Sequence, residues 1–424
     1  MILTLISLCF IIAYILIALE HPLKLDKAVP AIFFGVLSWA IIGIFKVPLA
    51  HDMELNEGLS LMLSDIAEIL LFLIGAMTIV EIIDLHGGFQ IISNLIKEKS
   101  SYRLLIIICL FSFFLSPVLD NLTTTIVMIS FVRKLIQEPE KRWWYASFVV
   151  IATNAGGAWS PIGDVTTTML WIGQKITTGA LIKYLFLPSL VCIIVPIVIA
   201  KFLKPFRGTV QNSEEPAVNI QILPSSKTML VVGVLSLIFV PVFKQLTHLP
   251  PYLGMMFSLA IVWLVSDIIK PTAFPFTEIG KKLTIKNALG RIEMPSILFF
   301  FGILAAVGAL EAVGILASLA KSLDIYFNNH TMIVFLLGLL SAIIDNVPLV
   351  AGSLGMYSFE LDHPFWHELA FAAGTGGSIL IIGSAAGVAA MGMEKINFIW
   401  YLKNIAWLAL LGYLAGWAVM YLTL

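Results

Sequence analysis

Two short stretches hold most of the groups that could do chemistry. Ser116-Pro117-Val118-Leu119-Asp120-Asn121-Leu122-Thr123-Thr124-Thr125 sets a carboxylate, a carboxamide and three hydroxyls into an apolar run beside a proline. Ser341-Ala342-Ile343-Ile344-Asp345-Asn346-Val347-Pro348 repeats the device. Two further stretches follow them at matched spacing. One runs from Asn154 through the pair Gly156-Gly157 to Asp164, Thr166 and Thr167; the other runs from Gly374 through Thr375, Gly376-Gly377 and Ser378 to Ser384. All of these donors are oxygens or amides, the set a hard cation prefers.

The surroundings explain why such groups stand out. Of 424 residues, 59% are hydrophobic and only 12% charged, half the charged share of a soluble protein. Mean hydropathy is +0.99, the mark of a polytopic membrane protein. A net charge of −1 argues against a nucleic-acid partner. Cys9, Cys109 and Cys192 all lie in apolar runs and offer neither a disulfide framework nor zinc spacing. The apolar start, from Met1 to Leu19, reads as a retained helix because no basic residue precedes it and no cleavage pattern closes it.

A crossing helix needs about 20 apolar residues. That rule places spans near 2–19, 28–45, 60–84, 145–173, 180–202, 228–245, 252–269, 295–313, 367–391 and 403–422. The Lys/Arg bias sends the loops with Lys24 and Lys27, with Lys97, Lys99 and Arg103, with Lys201, Lys204 and Arg207, and with Lys281, Lys282, Lys286 and Arg291 to the cytoplasm. The acidic loops around His51-Asp52 and around Glu360 and Asp362 go outside, as do both termini. The stretch 104–132 then has both ends in the cytoplasm, and 331–356 has both outside. Each reads as a re-entrant hairpin with a polar tip inside the membrane, tolerated only where protein or a watery cavity surrounds it. The alternative is that each stretch spans fully.

An internal repeat favours hairpins. Asp-Asn recurs at an offset of 225, the glycine-paired stretches at 220, and Gly75, Asp84 and Gly87 match Gly302, Glu311 and Gly314 at 227. The expectation is an all-α membrane protein of ten transmembrane helices plus two re-entrant helical hairpins in two inverted-topology repeats, residues 1–204 and 228–424, joined by a cytoplasmic linker at 205–227. Inverted repeats with broken helices at the midplane are a transporter architecture. The stretches 89–99 and 317–324 look like interfacial helices.

A carboxylate left charged at mid-bilayer costs roughly 2.5–3.5 kcal/mol even on lenient scales. Asp120, Asp164 and Asp345 must therefore be paired, hydrated, protonated or bound to a cation. Capping a helix is the plain reading, but neutral Asn or Ser would cap nearly as well; capping combined with cation binding explains the charge. The candidate ligand set is Asp120, Asn121, Thr123, Thr124, Asn154, Asp164, Thr166, Thr167, Ser341, Asp345, Asn346, Thr375 and Ser378. Carbonyls freed at the breaks Gly156, Gly157, Gly376 and Gly377 add to it. Ser384 stands where the first copy has Asp164, so the first half should hold the stronger ligands. Since the same oxygens bind either a proton or sodium, one site would exchange the two. His86, at the end of its span, titrates near neutral and is a candidate for pH sensing. No nucleophile–base pair or metal cluster suggests an enzyme, and no cofactor is implied.

Residues 116–125, 154–168, 341–350 and 374–387 together resemble the NhaD-type sodium/proton antiporters of the ion transporter superfamily. The resemblance implies that superfamily's fold. It implies extrusion of sodium or lithium from a bacterial cytoplasm across the inner membrane in exchange for protons, by a homodimer. Spans 1–3 and 6–8 would be the scaffold, and the hairpins with the helices after them an elevator-like transport unit. The residues matching its functional set are Asp120, Asn121, Asn154, Asp164, Thr166, Thr167, Ser341, Asp345 and Asn346. The rivals are sodium-coupled dicarboxylate or arsenite-type anion carriers of the same superfamily. Their dicarboxylate members look similar but carry neutral Ser-Asn-Thr tips, whereas Asp120 and Asp345 would repel an anion.

Overall fold

The computed structural model describes residues 2–18, 23–50, 53–94, 98, 100–209, 223–273, 283–327, 329–343 and 345–424. His51-Asp52, Lys97, Lys99, Lys281, Lys282 and most of the expected linker lie outside the described residues.

The elements are helices, and their lengths follow the apolar runs. The chain opens with α1 (Ile2–Ala18), α2 (Ala28–Ile44) and α3 (Leu55–Leu85). A short α4 (Gly88–Asn94) leads to α5 (Ser101–Leu119) and α6 (Asn121–Leu135), then α7 (Pro139–Gly157), α8 (Val165–Ile172) and α9 (Thr178–Ala200). The second part runs through α10 (Ser226–Thr247), α11 (Pro251–Ala273), a short α12 (Ile285–Leu289), α13 (Met294–Ala312) and α14 (Ile315–Phe327). It continues with α15 (His330–Leu340), α16 (Asn346–Met356), α17 (Pro364–Gly376), α18 (Ala385–Glu394), α19 (Phe398–Asn404) and α20 (Ala406–Thr423).

Of the ten expected spans, α3, α9, α10, α11, α13 and α20 contain single helical stretches long and apolar enough to cross a membrane. The helices α1 and α2 are apolar but only 17 residues long, about 25 Å at 1.5 Å per residue. The stretches 145–173 and 367–391 are each broken, as α7–α8 and α17–α18. The limb α5 also passes the length test, at 19 residues. Limb length therefore does not separate a hairpin from a span; α5 and α6 lie against each other and both lie against α7. Many large apolar side chains are exposed on outer faces, Leu8, Ile11, Phe33, Val36, Leu235 and Leu264 among them, which suits a lipid solvent and not water.

Contacts divide the helices into two groups. The helices α1, α2, α3, α10, α11 and α13 pack among themselves, and α5–α9 with α15–α20 form the other set. The groups meet along α13–α16, α3–α8 and α5–α10. Backbones approach closely within each group, as small residues allow in membranes. A Cβ built on Gly35 of α2 would stand 2.5 Å from the Gly302 carbonyl oxygen of α13, and one on Gly302 would strike the backbone of Ala31 and Ile32. The Trp39 indole donates to the Ala305 carbonyl at 2.9 Å and fixes the same pair of helices.

Filling that contact should separate α2 from α13. Gly302→Val is expected to lower stability in detergent by about 1–3 kcal/mol, the range for overpacking, read as a lower thermal unfolding temperature. Gly352→Ala in α16, where nothing lies within 4 Å of a built Cβ, should be neutral or stabilising by up to about 1 kcal/mol.

Candidate functional site

The site is built from helix ends. The helices α6, α8, α16 and α18 each begin with an N-cap that accepts a hydrogen bond from its own first turn: Asp120, Asp164, Asp345 and Ser384. Of the helices before them, α7, α15 and α17 stop a few residues short, whereas α5 runs to Leu119, directly before Asp120. Two turns are thus interrupted inside each half. Glycine makes the interruptions fit. A Cβ on Gly156 would collide with the backbone of Phe113, and one on Gly376 with the backbone of Gly338. Gly157 lies on the Gly163 carbonyl as Gly377 lies on that of Gly383. A serine then ties each α5 or α15 end to the broken helix: Ser116 donates to the Thr153 carbonyl at 2.6 Å and Ser341 to that of Ala373 at 3.0 Å. These contacts recur at the offsets of the sequence repeat.

The interrupted ends meet on Asp164, which is 1% exposed. Its Oδ1 accepts from the Thr166 amide at 2.9 Å and the Thr166 hydroxyl at 2.8 Å. Its Oδ2 accepts from Asn121 at 2.6 Å and from Asn346 at 3.4 Å. The two Asp-Asn tips, separated by over two hundred residues, therefore converge on one carboxylate. Asn121 also donates to the Asn154 Oδ1 at 3.0 Å. Asn154 passes the network on, donating to Ser378 at 2.9 Å and Ser384 at 2.8 Å. Thr167 braces the break by donating to the carbonyls of Ser160 and Asp164.

Asp120 sits beside this cluster on an unusual backbone. Its φ of 80° and ψ of 160° fall in a region that only glycine visits freely. The Thr123 amide at 2.7 Å and hydroxyl at 2.8 Å hold the carboxylate. Asp345 has ordinary geometry, φ −47° and ψ 136°, and a different partner: Lys27 at the start of α2 contacts its Oδ2 at 3.0 Å. The three carboxylates are thus not equivalent. Asp345 is ion-paired, whereas Asp164 is held by neutral donors.

Other expected ligands divide plainly. The Thr124 hydroxyl is buried with no hydrogen-bond partner among the described residues, an oxygen left over at the tip of α6. The Thr375 hydroxyl is used on its own helix, donating to the Phe371 carbonyl at 2.6 Å, so it does not join the cluster. His86 is buried outside the site; its ring nitrogens contact Ser225 at 2.9 Å and Ser266 at 2.8 Å. Two participants were not in the expected ligand set. Ser384 had a signal, its alignment with Asp164. Lys27 had none beyond loop charge, because its partner is 318 residues away.

Two open cavities lie at opposite ends of α3 and α13. One, of about 410 Å³, is lined by Glu81, Asp84, Arg291 and Glu293 and reaches Leu122 and Thr123 at the tip. The other, of about 610 Å³, is lined by Asp65, Glu68, Glu311 and Lys175, and none of the candidate ligands lines it. Both are acidic. Glu68 and Glu81 are thirteen residues apart on one helix, about 20 Å along its axis.

The family profile described as "CitMHS: Citrate transporter" matches residues 14–376. "Sodium/proton antiporter 2" of Arabidopsis thaliana is 42% identical over 97% of this chain and 97% of its own length. "Sodium/proton antiporter 1" of the same plant is 44% identical over 97% of this chain and 70% of its own. "Na(+)/H(+) antiporter NhaD" of Vibrio cholerae is 32% identical over 96% of this chain and 89% of its own.

The backbone of Asp120 makes a prediction independent of any transported species. Asp120→Ala loses the cap and keeps the strained φ, so it should destabilise by about 1–3 kcal/mol. Asp120→Gly also loses the cap but adopts that φ freely. Its unfolding temperature in detergent is expected to lie above that of Asp120→Ala.

Proposed function

Because the chain belongs to the NhaD-type sodium/proton antiporter family, we propose that it exchanges sodium or lithium ions for protons at the Asp164 cluster. The chain is a multi-pass membrane transporter and not an enzyme. The observation that carries the exchange reading is the convergence of Asn121 and Asn346 on the buried carboxylate of Asp164.

The two carboxamides turn their NH2 groups toward Asp164. A rotation of each amide about its last bond exchanges NH2 for oxygen. The same three side chains then form an oxygen cage around a small cation, with Asp120 and the Thr124 hydroxyl beside it. A proton on Asp164 removes the charge that attracts the cation, so the two loads exclude each other. Carbonyls at the ends of α5, α7, α15 and α17 supply further oxygens, as at other broken-helix ion sites.

The acidic cavities serve as approaches, since clefts of one sign concentrate the opposite ion. The loop bias places the Glu81 cavity on the cytoplasmic side and the Asp65 cavity outside. The tip at Thr123 borders only the former, which supports an inward-open state. The two contact groups supply a scaffold and a moving unit for elevator-type alternating access between inverted repeats, and the scaffold faces suit pairing of two copies. The bacterial cytoplasmic membrane is the location this reading expects. A carboxylate carrier is the second reading, prompted by the matched profile's description; buried Asp164 and Asp120 oppose a dianion.

Purified protein in vesicles with an imposed pH gradient tests this. Sodium or lithium should collapse the gradient, while potassium, citrate, succinate and arsenite should not. Asp164→Asn should reduce the response to that of protein-free vesicles. Collapse by citrate alone transfers the function to the second reading.

A further inference from the structure

The Lys27–Asp345 pair joins the two helix groups. Lys27 stands at the start of α2, whose close packing on α13 makes it part of one group. Its ammonium also lies 4.4 Å from the centre of the Phe299 ring of α13, which fixes the stem on the same wall. Asp345 caps α16, which lies across the group boundary. A cavity of about 230 Å³ adjoins Lys27, lined also by Asp26, Glu293, Leu122 and Ala385. It shares Leu122 and Glu293 with the Glu81 cavity, which brings Lys27 next to that approach. Lys27 and Asp345 side chains are 14% and 9% exposed, dry enough that an unpaired carboxylate there is unfavourable.

We propose that Lys27 is a tethered cation that occupies Asp345 while the site is empty and latches the tip of α16 to the α2–α13 wall. The inference rests on the exchange reading above and adds a coupling device to it. A lysine stem reaches only a few bonds, so any shift of one group past the other breaks the pair. Broken, it leaves Asp345 bare unless a proton or a sodium ion takes the place of the ammonium. The loaded unit can therefore move and the empty one is held. Lys27 acts through Asp345 and is a positioning residue; it need not touch the transported ion.

Removing the competitor should strengthen cation binding. In vesicles, Lys27→Gln is expected to lower the half-saturating sodium concentration by about three- to tenfold, as loss of a partly buried ion pair allows. Replacing Asp345 with Asn should erase that effect, so that Lys27→Gln/Asp345→Asn matches Asp345→Asn alone in sodium binding measured by calorimetry. Lys27→Cys provides a within-sample control for folding. Aminoethyl methanethiosulfonate rebuilds an ammonium there and should return half-saturation toward wild type, while the neutral methyl reagent should not. An unchanged half-saturating sodium in Lys27→Gln, or equal effects of the two reagents, overturns the latch. A wild type that ignores sodium overturns the exchange reading instead, so the two failures are distinguishable.

Discussion

A carboxylate removed from water has to have both oxygens satisfied, and the centre of this molecule is arranged around meeting that need for Asp164. Its two oxygens draw on four donors: an amide and a hydroxyl from its own helix start and one carboxamide from each Asp-Asn tip. No continuous helix could supply these, because a residue in mid-helix has its neighbouring backbone amides already bonded to carbonyls. The interruption between Gly157 and Val165 is thus a requirement of the carboxylate. The glycines are in turn a requirement of the interruption, since any Cβ at 156 or 157 would meet backbone.

Capping and ion binding are not rival explanations for these residues. Each interruption leaves free amides at a helix start and free carbonyls at a helix end. Three Asp side chains and one Ser occupy the starts. A helix start stabilises a negative charge. The carbonyl-rich ends are natural cation ligands nearby. One structural device therefore serves the fold and suits the proposed chemistry, and an Asn at position 164 would preserve the cap while removing the charge.

The two Asp-Asn stretches with their following breaks differ where charge is concerned. The first has Asp164 at its break and Asp120 on a backbone that few non-glycine residues adopt. The second has Ser384 at its break, while Asp345 is neutralised by Lys27. Net charge is thus concentrated on the first copy, and the second lends it a neutral donor in Asn346 and a neutral acceptor in Ser384. Elsewhere a charged cluster ties the copies at their rim: Glu394 of α18 accepts from Arg133 of α6 and Arg142 of α7, and its carbonyl from Trp143. Unlike the lysine pair, that cluster lies within one contact group.

Local chemistry made much of this legible in the residues alone. Apolar runs of spanning length, interrupted by Asp-Asn and glycine pairs at repeated offsets, implied helices, breaks and the polar set at 120, 121, 154 and 164, because hydrophobic length and backbone freedom act over a few neighbours. Thr375 and Lys27 were not legible in that way. Whether a threonine hydroxyl turns to its own helix or to a shared cluster depends on rotamer and packing, and sequence spacing is the same for both. Which of three aspartates receives an ammonium depends on how α2 is laid against α16, a contact between residues at opposite ends of the chain. Composition and pattern determined that acidic groups would be buried together; only the tertiary arrangement decided which of them is neutralised by lysine and which is left to neutral donors, because charge pairing falls off with distance in space and not along the chain.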